Sequence, residues 1–297
     1  MASIPAPMPP ARATAIGFIA VLLWALLALF TVGSAPVPPL QLNAICFAIG
    51  GAIGIVWLAA TGEARLLMQV PFRVYAFGTA GLFGYHALYF SALRLAPAAE
   101  AGLIAYLWPL LIVLFSGLLP GERLRMGHVI GAVAGFAGAA LIVARGAVGF
   151  DGAALPGYGL ALLCALTWSG YSVLSRRLGA IPTASVAVFC LATAALSLPL
   201  HLALEETVWP TDPATWASML ALGMGPVGLA FYVWDIGVKR GDIQLLGVAS
   251  YAAPLLSTLV LVGAGIAAPT PILFAAAVLI TGGAALAAWA SARQAQA

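Results

Sequence analysis

The sequence predicts an all-α polytopic membrane protein: ten transmembrane helices arranged as two inverted five-helix repeats around a central cavity. Three observations lead there. Of 297 residues, 63% are hydrophobic and 7% charged, whereas a soluble domain carries about 25% charged residues; no soluble fold hides so much apolar surface. The apolar residues fall into ten runs, each near the ~20 residues needed to cross a hydrocarbon core. The second half of the chain also repeats the first.

The repeat is clearest in Tyr106-Leu107-Trp108-Pro109-Leu110-Leu111, which returns 145 positions later as Tyr251-Ala252-Ala253-Pro254-Leu255-Leu256. At the same offset Gly78 falls on Gly223, Arg94 on Lys239, Gly102 on Gly247, and Gly138-Ala139-Ala140-Leu141 on Gly283-Ala284-Ala285-Leu286. One insertion upstream brings Trp24 onto Trp168. Ala, Gly and Leu coincide often in such a sequence, so the Tyr-x-x-Pro-Leu-Leu pair is the specific part of the match.

In chain order the spans read 14–33, 39–60, 72–93, 98–118, 127–145, 156–178, 183–203, 215–237, 243–264 and 271–291. Helices rather than strands follow from the run lengths and from the need to satisfy every backbone group internally. Pro- and Gly-rich breaks separate the runs: Pro36-Val37-Pro38-Pro39, Pro120-Gly121, Trp209-Pro210 with Pro213, and Pro269-Thr270-Pro271. The expected organisation is a tail over 1–13, a first repeat over 14–145, a second over 156–291 and a tail over 292–297. The first apolar run is longer than a signal-peptide core, so it reads as a membrane helix. The connections are too short for a separate soluble domain.

Orientation follows from the basic residues. Arg12, Arg65, Arg73, Arg123, Arg125, Arg176, Arg177, Lys239, Arg240 and Arg293 share one side, and only Arg94 and Arg145 fall on the other. Positive charge collects on the cytoplasmic side, so both termini are expected there. Glu100, Asp151, Glu205, Glu206 and Asp212 lie on the opposite side. Because five is odd, the second repeat enters the membrane from the face opposite to the first. That inversion places a site at the midplane between the halves, where it can open to either side in turn. The expectation is a transporter.

Ten helices in two such halves resemble the drug/metabolite transporter superfamily and its EamA-type repeats. The first half carries the usual ending of that repeat: Pro109, then Gly121-Glu122-Arg123-Leu124, Gly131 and Gly138. The second half keeps Pro254 and Gly282-Gly283 but has Ala267 opposite Glu122, which argues against an essential role for the glutamate. The Tyr-Leu-Trp-Pro form and the central tryptophans are most similar to the YddG-type aromatic amino acid exporters of bacteria. The resemblance implies a bacterial inner-membrane exporter of small organic metabolites, aromatic and other amino acids foremost, working by alternating access. Two driving modes stay open, an uncoupled facilitator and proton coupling through His86.

The candidate substrate-binding residues are aromatic. Trp57, Trp209, Trp216 and Trp289 lie near helix ends and read as an interfacial belt. Trp24, Trp108 and Trp168 sit mid-span, where the indole N–H needs a partner that lipid does not supply. They either bond a backbone carbonyl in a packed core or line the cavity. Trp234, nearer a helix end, is left unassigned. Tyr85 and Tyr89 share one face of the third helix; Tyr106 and Tyr251 are repeat equivalents. Aromatic walls with a few hydroxyls suit a flat solute with a polar edge. His86 is the ionisable residue deepest in a span, a functional candidate or a structural histidine bonded to Tyr89. His128 and His201 read as interfacial. Pro109 and Pro254 interrupt their helices and are the candidate hinges. Ser250 supplies a hydroxyl either to substrate or to its own helix.

No catalytic residue, metal site or cofactor site is read from the sequence. It shows no phosphate loop, no metal-ligand spacing and no paired intramembrane carboxylates, which argues against ATP hydrolysis and carboxylate-coupled antiport. Glu122 and Arg123 read as an interfacial pair at a helix start, and Cys46, Cys164 and Cys190 as packing residues. Expected partners are a small-molecule substrate and the bilayer, with no nucleic acid, in a monomer or homodimer. The rival readings are an exporter of a purine, drug or aliphatic amino acid, an intramembrane enzyme, and a non-transporting scaffold.

Overall fold

A computed structural model describes residues 8–62, 64–144 and 151–295, and among these it contains helices and no strand. Among the described residues nine helices are long and apolar enough to cross a membrane. They are α1 (Pro10–Gly33), α2 (Pro39–Thr61), α4 (Ala98–Ser116), α5 (Met126–Ala144), α6 (Gly152–Leu178), α7 (Thr183–Leu204), α8 (Pro213–Arg240), α9 (Ile243–Gly263) and α10 (Pro271–Gln294). Another helix of 24 residues, α3 (Phe72–Leu95), is less apolar because it carries Arg73, Tyr75, Tyr85, His86, Tyr89 and Arg94. The chain is a multi-pass membrane protein.

Proline sets many of the helix starts. Pro10, Pro39, Pro213 and Pro271 open α1, α2, α8 and α10, where a missing N–H costs nothing and φ is already helical. For the same reason α1 begins at Pro10 rather than at position 14. Gly62, at φ 70°, ends α2 in the left-handed conformation and donates its N–H to Leu58. At the other end of the chain α10 runs past 291, with the Arg293 guanidinium 3.9 Å from the Trp289 ring centre. Arg145, residues 1–7 of the first tail and residues 296–297 of the last lie outside the described residues.

Four helices are interrupted, α1 among them at Leu26, between Ala25 and Leu27. The α-helical path of α4 breaks between Ala105 and Trp108, and that of α9 between Ala249 and Ala252. Pro109 and Pro254 sit in the first turn after each break, where proline is tolerated. In α8, Gly225–Leu229 widens into a π turn containing Pro226.

The helices pack chiefly in pairs, α1 with α8, α3 with α6, α2 with α7 and α5 with α10, while α4 lies mainly along α6 and also meets α9. The α5–α10 contact is built from small residues. A Cβ added at Gly131 would lie 2.5 Å from the carbonyl oxygen of Gly283, so only glycine permits this approach of the two backbones. The main core is central and aromatic, and it includes Phe47, Trp108, Trp168, Phe231 and Trp234.

Candidate functional site

Four indoles meet at the centre of the bundle, from α1, α4, α6 and α8. Trp24 lies 6.0 Å from Trp108, 6.0 Å from Trp168 and 5.1 Å from Trp234, measured between ring centres. Trp108 is 6.4 Å from Trp168 and 5.9 Å from Trp234, and Trp168 is 6.3 Å from Trp234. Every pair is therefore in contact. Most cross edge-to-face, the arrangement that sets a ring's positive edge against another's negative face.

The cluster extends into α3 and α2. Tyr85 lies 5.6 Å from Trp168 and stacks on Tyr89 at 6.2 Å. His86 packs edge-on against Phe47 at 4.9 Å and Phe231 at 6.3 Å. The structure thus brings together Trp24, Trp108, Trp168, Tyr85, His86 and Tyr89. Tyr106 stands half-buried at the break in α4.

Polar groups divide into those already bonded and those left available. The Trp24 indole donates to the carbonyl of Pro226 at 3.1 Å, in the π turn of α8, and the Trp234 indole donates to the Ser172 hydroxyl at 3.1 Å. The Nδ1 of His86 lies 2.7 Å from the Leu82 carbonyl. A carbonyl only accepts, so Nδ1 carries the proton and Nε2 of the neutral ring is left as an acceptor. Leu82, not Tyr89, is thus the partner of this histidine. The indole N–H of Trp108 and Trp168 and the hydroxyls of Tyr85, Tyr89 and Tyr106 make no hydrogen bond to the described residues, and none is sealed inside the protein. These donors and acceptors rim an apolar ring surface, which is what a flat solute with a polar edge requires.

Ser250 and Tyr251 are not brought to this cluster; of the two roles open to Ser250, the bond to its own helix is the one present. The Ser250 hydroxyl is buried and bonds back to the Leu246 carbonyl at 2.7 Å. The Tyr251 ring is fully buried against Gly135 and Phe136, and its hydroxyl accepts the backbone N–H of Leu110. The face of α9 bearing them is covered by α4 and α5, so neither meets the centre. His128 and His201, near the ends of α5 and α7, are buried, bonded to Ser291 and to Glu205 and Thr207 respectively. Trp57, Trp209, Trp216 and Trp289 are exposed on the bundle surface.

Sequence reasoning missed Trp234, Phe231 and Phe47. The repeat offers a signal for two of them: at the 145-residue offset Trp234 is the counterpart of Tyr89, and Phe231 that of His86. Phe47 carries no such mark.

At the arginine-rich ends of the helices, polar contacts tie neighbouring segments together. Arg176, at the end of α6, donates to the carbonyls of Val238 and Gly241 at 3.0 and 2.7 Å and pairs with Glu122. Glu122 therefore joins Arg176 across the halves and not the adjacent Arg123. The Asp235 carboxylate accepts from Lys239 at 2.9 Å and Thr183 at 2.7 Å, and the Lys239 ammonium also reaches the carbonyl of Ile181. Thr14 accepts the N–H of Asp242 at 2.8 Å. On the other face Glu205 accepts from the N–H groups of Leu40 and Gln41, at the start of α2, and lies 3.6 Å from Arg94. A carboxylate suits a helix N-terminus, where N–H groups and the dipole favour negative charge.

A bundle of apolar helices whose centre is an aromatic cluster drawn from both halves has the build of a membrane transporter. The chain belongs to the EamA-like transporter family, whose model matches residues 12–144 and 155–289; it is a transporter and not an enzyme. It is 57% identical over 282 residues to the aromatic amino acid exporter YddG of Ancylobacter novellus, covering 94% of this chain and 98% of that one. It is 26% identical over 261 residues to the exporter of that name from Salmonella typhimurium, covering 83% of this chain and 86% of that one. A solved crystal structure superposes with a TM-score of 0.91 at 56% identity, covering 95% of this chain and 98% of that chain.

Proposed function

We propose that this protein exports aromatic amino acids across the bacterial inner membrane. In this reading α3 is a tenth span, the repeats over 14–145 and 156–291 are inverted, and both termini are cytoplasmic. The observation that carries it is the four-indole cluster with its unbonded donors at the junction of the two halves. The pairing of helices supports a two-fold relation between the halves, which five spans in each half make an inversion. Replacing each helix by the one five places on returns the four pairs and the α4–α9 contact, as a two-fold axis in the membrane plane requires. The repeat equivalents Trp24 and Trp168 touch each other, as do His86 and Phe231.

Substrate rings stack in the site in place of one indole on another, and the free hydroxyls and N–H groups take the amino acid's polar edge. The breaks before Pro109 and Pro254 are the hinges. All parts of the site come from one chain, so a monomer suffices. The experiment is flux in proteoliposomes loaded with phenylalanine, tyrosine, tryptophan, threonine, alanine or adenine. Efflux of the three aromatic amino acids at rates well above alanine and adenine is expected. Adenine leaving faster than any amino acid would transfer the assignment to a purine exporter.

A further inference from the structure

The structure assigns a second, lipid-facing site to the seam between α3 and α6: we propose that it seats one anionic phospholipid, with its phosphate between Arg73 and Arg177 and an acyl chain in the groove above them. Two concavities of about 290 and 240 Å³ run into each other there, sharing Phe77 and Leu174. The first opens between Arg73, at the start of α3, and Arg177, at the end of α6. Both arginines are exposed, and neither forms an ion pair with a described residue. The second concavity continues to Leu166 along a wall whose lining is almost wholly apolar.

Length and charge select the occupant. From Leu178 to Leu166 the groove follows about 18 Å of helix at 1.5 Å per residue, close to one leaflet of a hydrocarbon core of about 30 Å. Two guanidinium groups at a membrane surface complement an anionic headgroup, and basic pockets between helices bind such lipids. A zwitterionic lipid adds an ammonium group that the arginines repel. Gly170 keeps the middle of the groove open, since a Cβ built there meets no atom within 4 Å. Beside Gly170 the groove is lined by Tyr171, whose ring lies 5.5 Å from Phe77 and 5.3 Å from Trp168. A seated chain therefore braces the tyrosine that backs the indole cluster.

The test is thermal unfolding of the detergent-solubilised protein with dioleoylphosphatidylglycerol, dioleoylphosphatidylcholine or inorganic phosphate added. The anionic lipid is expected to raise Tm by several degrees, the zwitterionic lipid by less than half as much, and phosphate not at all. The double variant R73Q/R177Q should lose the difference between the two lipids, while R12Q/R240Q, which removes the same charge from the same face, should keep it. Gly170→Leu, whose side chain enters open space, should lose most of the shift with its lipid-free Tm unchanged. Equal shifts from the two lipids in the unmodified protein, or loss of selectivity in R12Q/R240Q as well, would overturn the site. A full shift in Gly170→Leu would overturn the groove as the seat of the chain.

Discussion

The hydroxyl of Tyr251 accepts the backbone N–H of Leu110 at 3.0 Å, so the second copy of the repeated motif braces the first. In an unbroken helix that N–H would bond the carbonyl four residues back, at Tyr106. The break there frees it, beside a proline that has no N–H of its own. Among the described residues no matching bond runs from Tyr106 to Leu255, the counterpart of Leu110. The two halves share a chain path, and their hinges are supported differently.

Tyr251→Phe should lower stability by about 1–2 kcal/mol, the cost of leaving a buried N–H without an acceptor, and Tyr106→Phe should not. Thermal unfolding in detergent separates them; equal effects would show that the bond does not hold the break. Pro109→Ala and Pro254→Ala are expected to slow transport at near-normal stability. Unchanged rates in the double variant would show that the breaks are not hinges.

The indole cluster predicts graded losses. Trp168 touches Trp24, Trp108, Trp234 and Tyr85, and such contacts are worth about 0.5–1.5 kcal/mol per pair beyond area burial. Trp168→Ala should reduce aromatic amino acid export at least about tenfold, since 1.4 kcal/mol corresponds to one decade. Trp209→Ala and Trp289→Ala should leave it near normal. Export at matched membrane expression is the measurement, and comparable losses at the surface and central positions would refute a central site.

The Glu122–Arg176 pair predicts a shift between states. Glu122→Gln removes one ionic tie between the halves, worth about 1 kcal/mol for a part-buried pair, and so favours the state open at the arginine-rich face by about fivefold. A cysteine replacing Ser172, behind this latch, should then react faster with a thiol reagent applied from the arginine-rich face. The background must lack Cys46, Cys164 and Cys190. Identical labelling rates with and without Glu122 would show that the pair does not gate that face.

Asp212 caps the start of α8, accepting from the Thr215 N–H at 2.9 Å and the Thr215 hydroxyl at 2.7 Å. These bonds hold its carboxyl below the usual carboxylate range. A depressed folded pKa means the contribution is complete above the ordinary carboxylate value and is lost as pH falls through the lowered one. Tm measured from pH 6 downward should fall less steeply in Asp212→Asn than in the unmodified protein. Superimposable profiles would remove the carboxylate from the acid response.

His86 is surrounded by Phe47, Tyr85, Phe90 and Phe231, and no carboxylate bonds it among the described residues. An imposed pH gradient should therefore not drive accumulation, and the facilitator is the expected mode. Gradient-driven uptake that disappears in His86→Gln would establish proton coupling.

Much of this protein was determined by its sequence alone, because a bilayer leaves few options. An apolar run of some twenty residues must cross as a helix, since nothing in hydrocarbon satisfies an open backbone. The Tyr-x-x-Pro-Leu-Leu repeat marked where two helices break, and three mid-span tryptophans marked the centre. What only the tertiary structure decided was which faces meet. Tyr106 and Tyr251 are equivalent in sequence, yet one stands half-buried at its break and the other is enclosed by α4 and α5. A tryptophan near a helix end, Trp234, completes the central cluster because α8 packs along α1. Glu122 passes over its neighbour Arg123 and pairs with Arg176 from the other half. Hydropathy and local spacing act along one helix, whereas these contacts depend on the rotation and depth of each helix against its partners, which long-range packing sets.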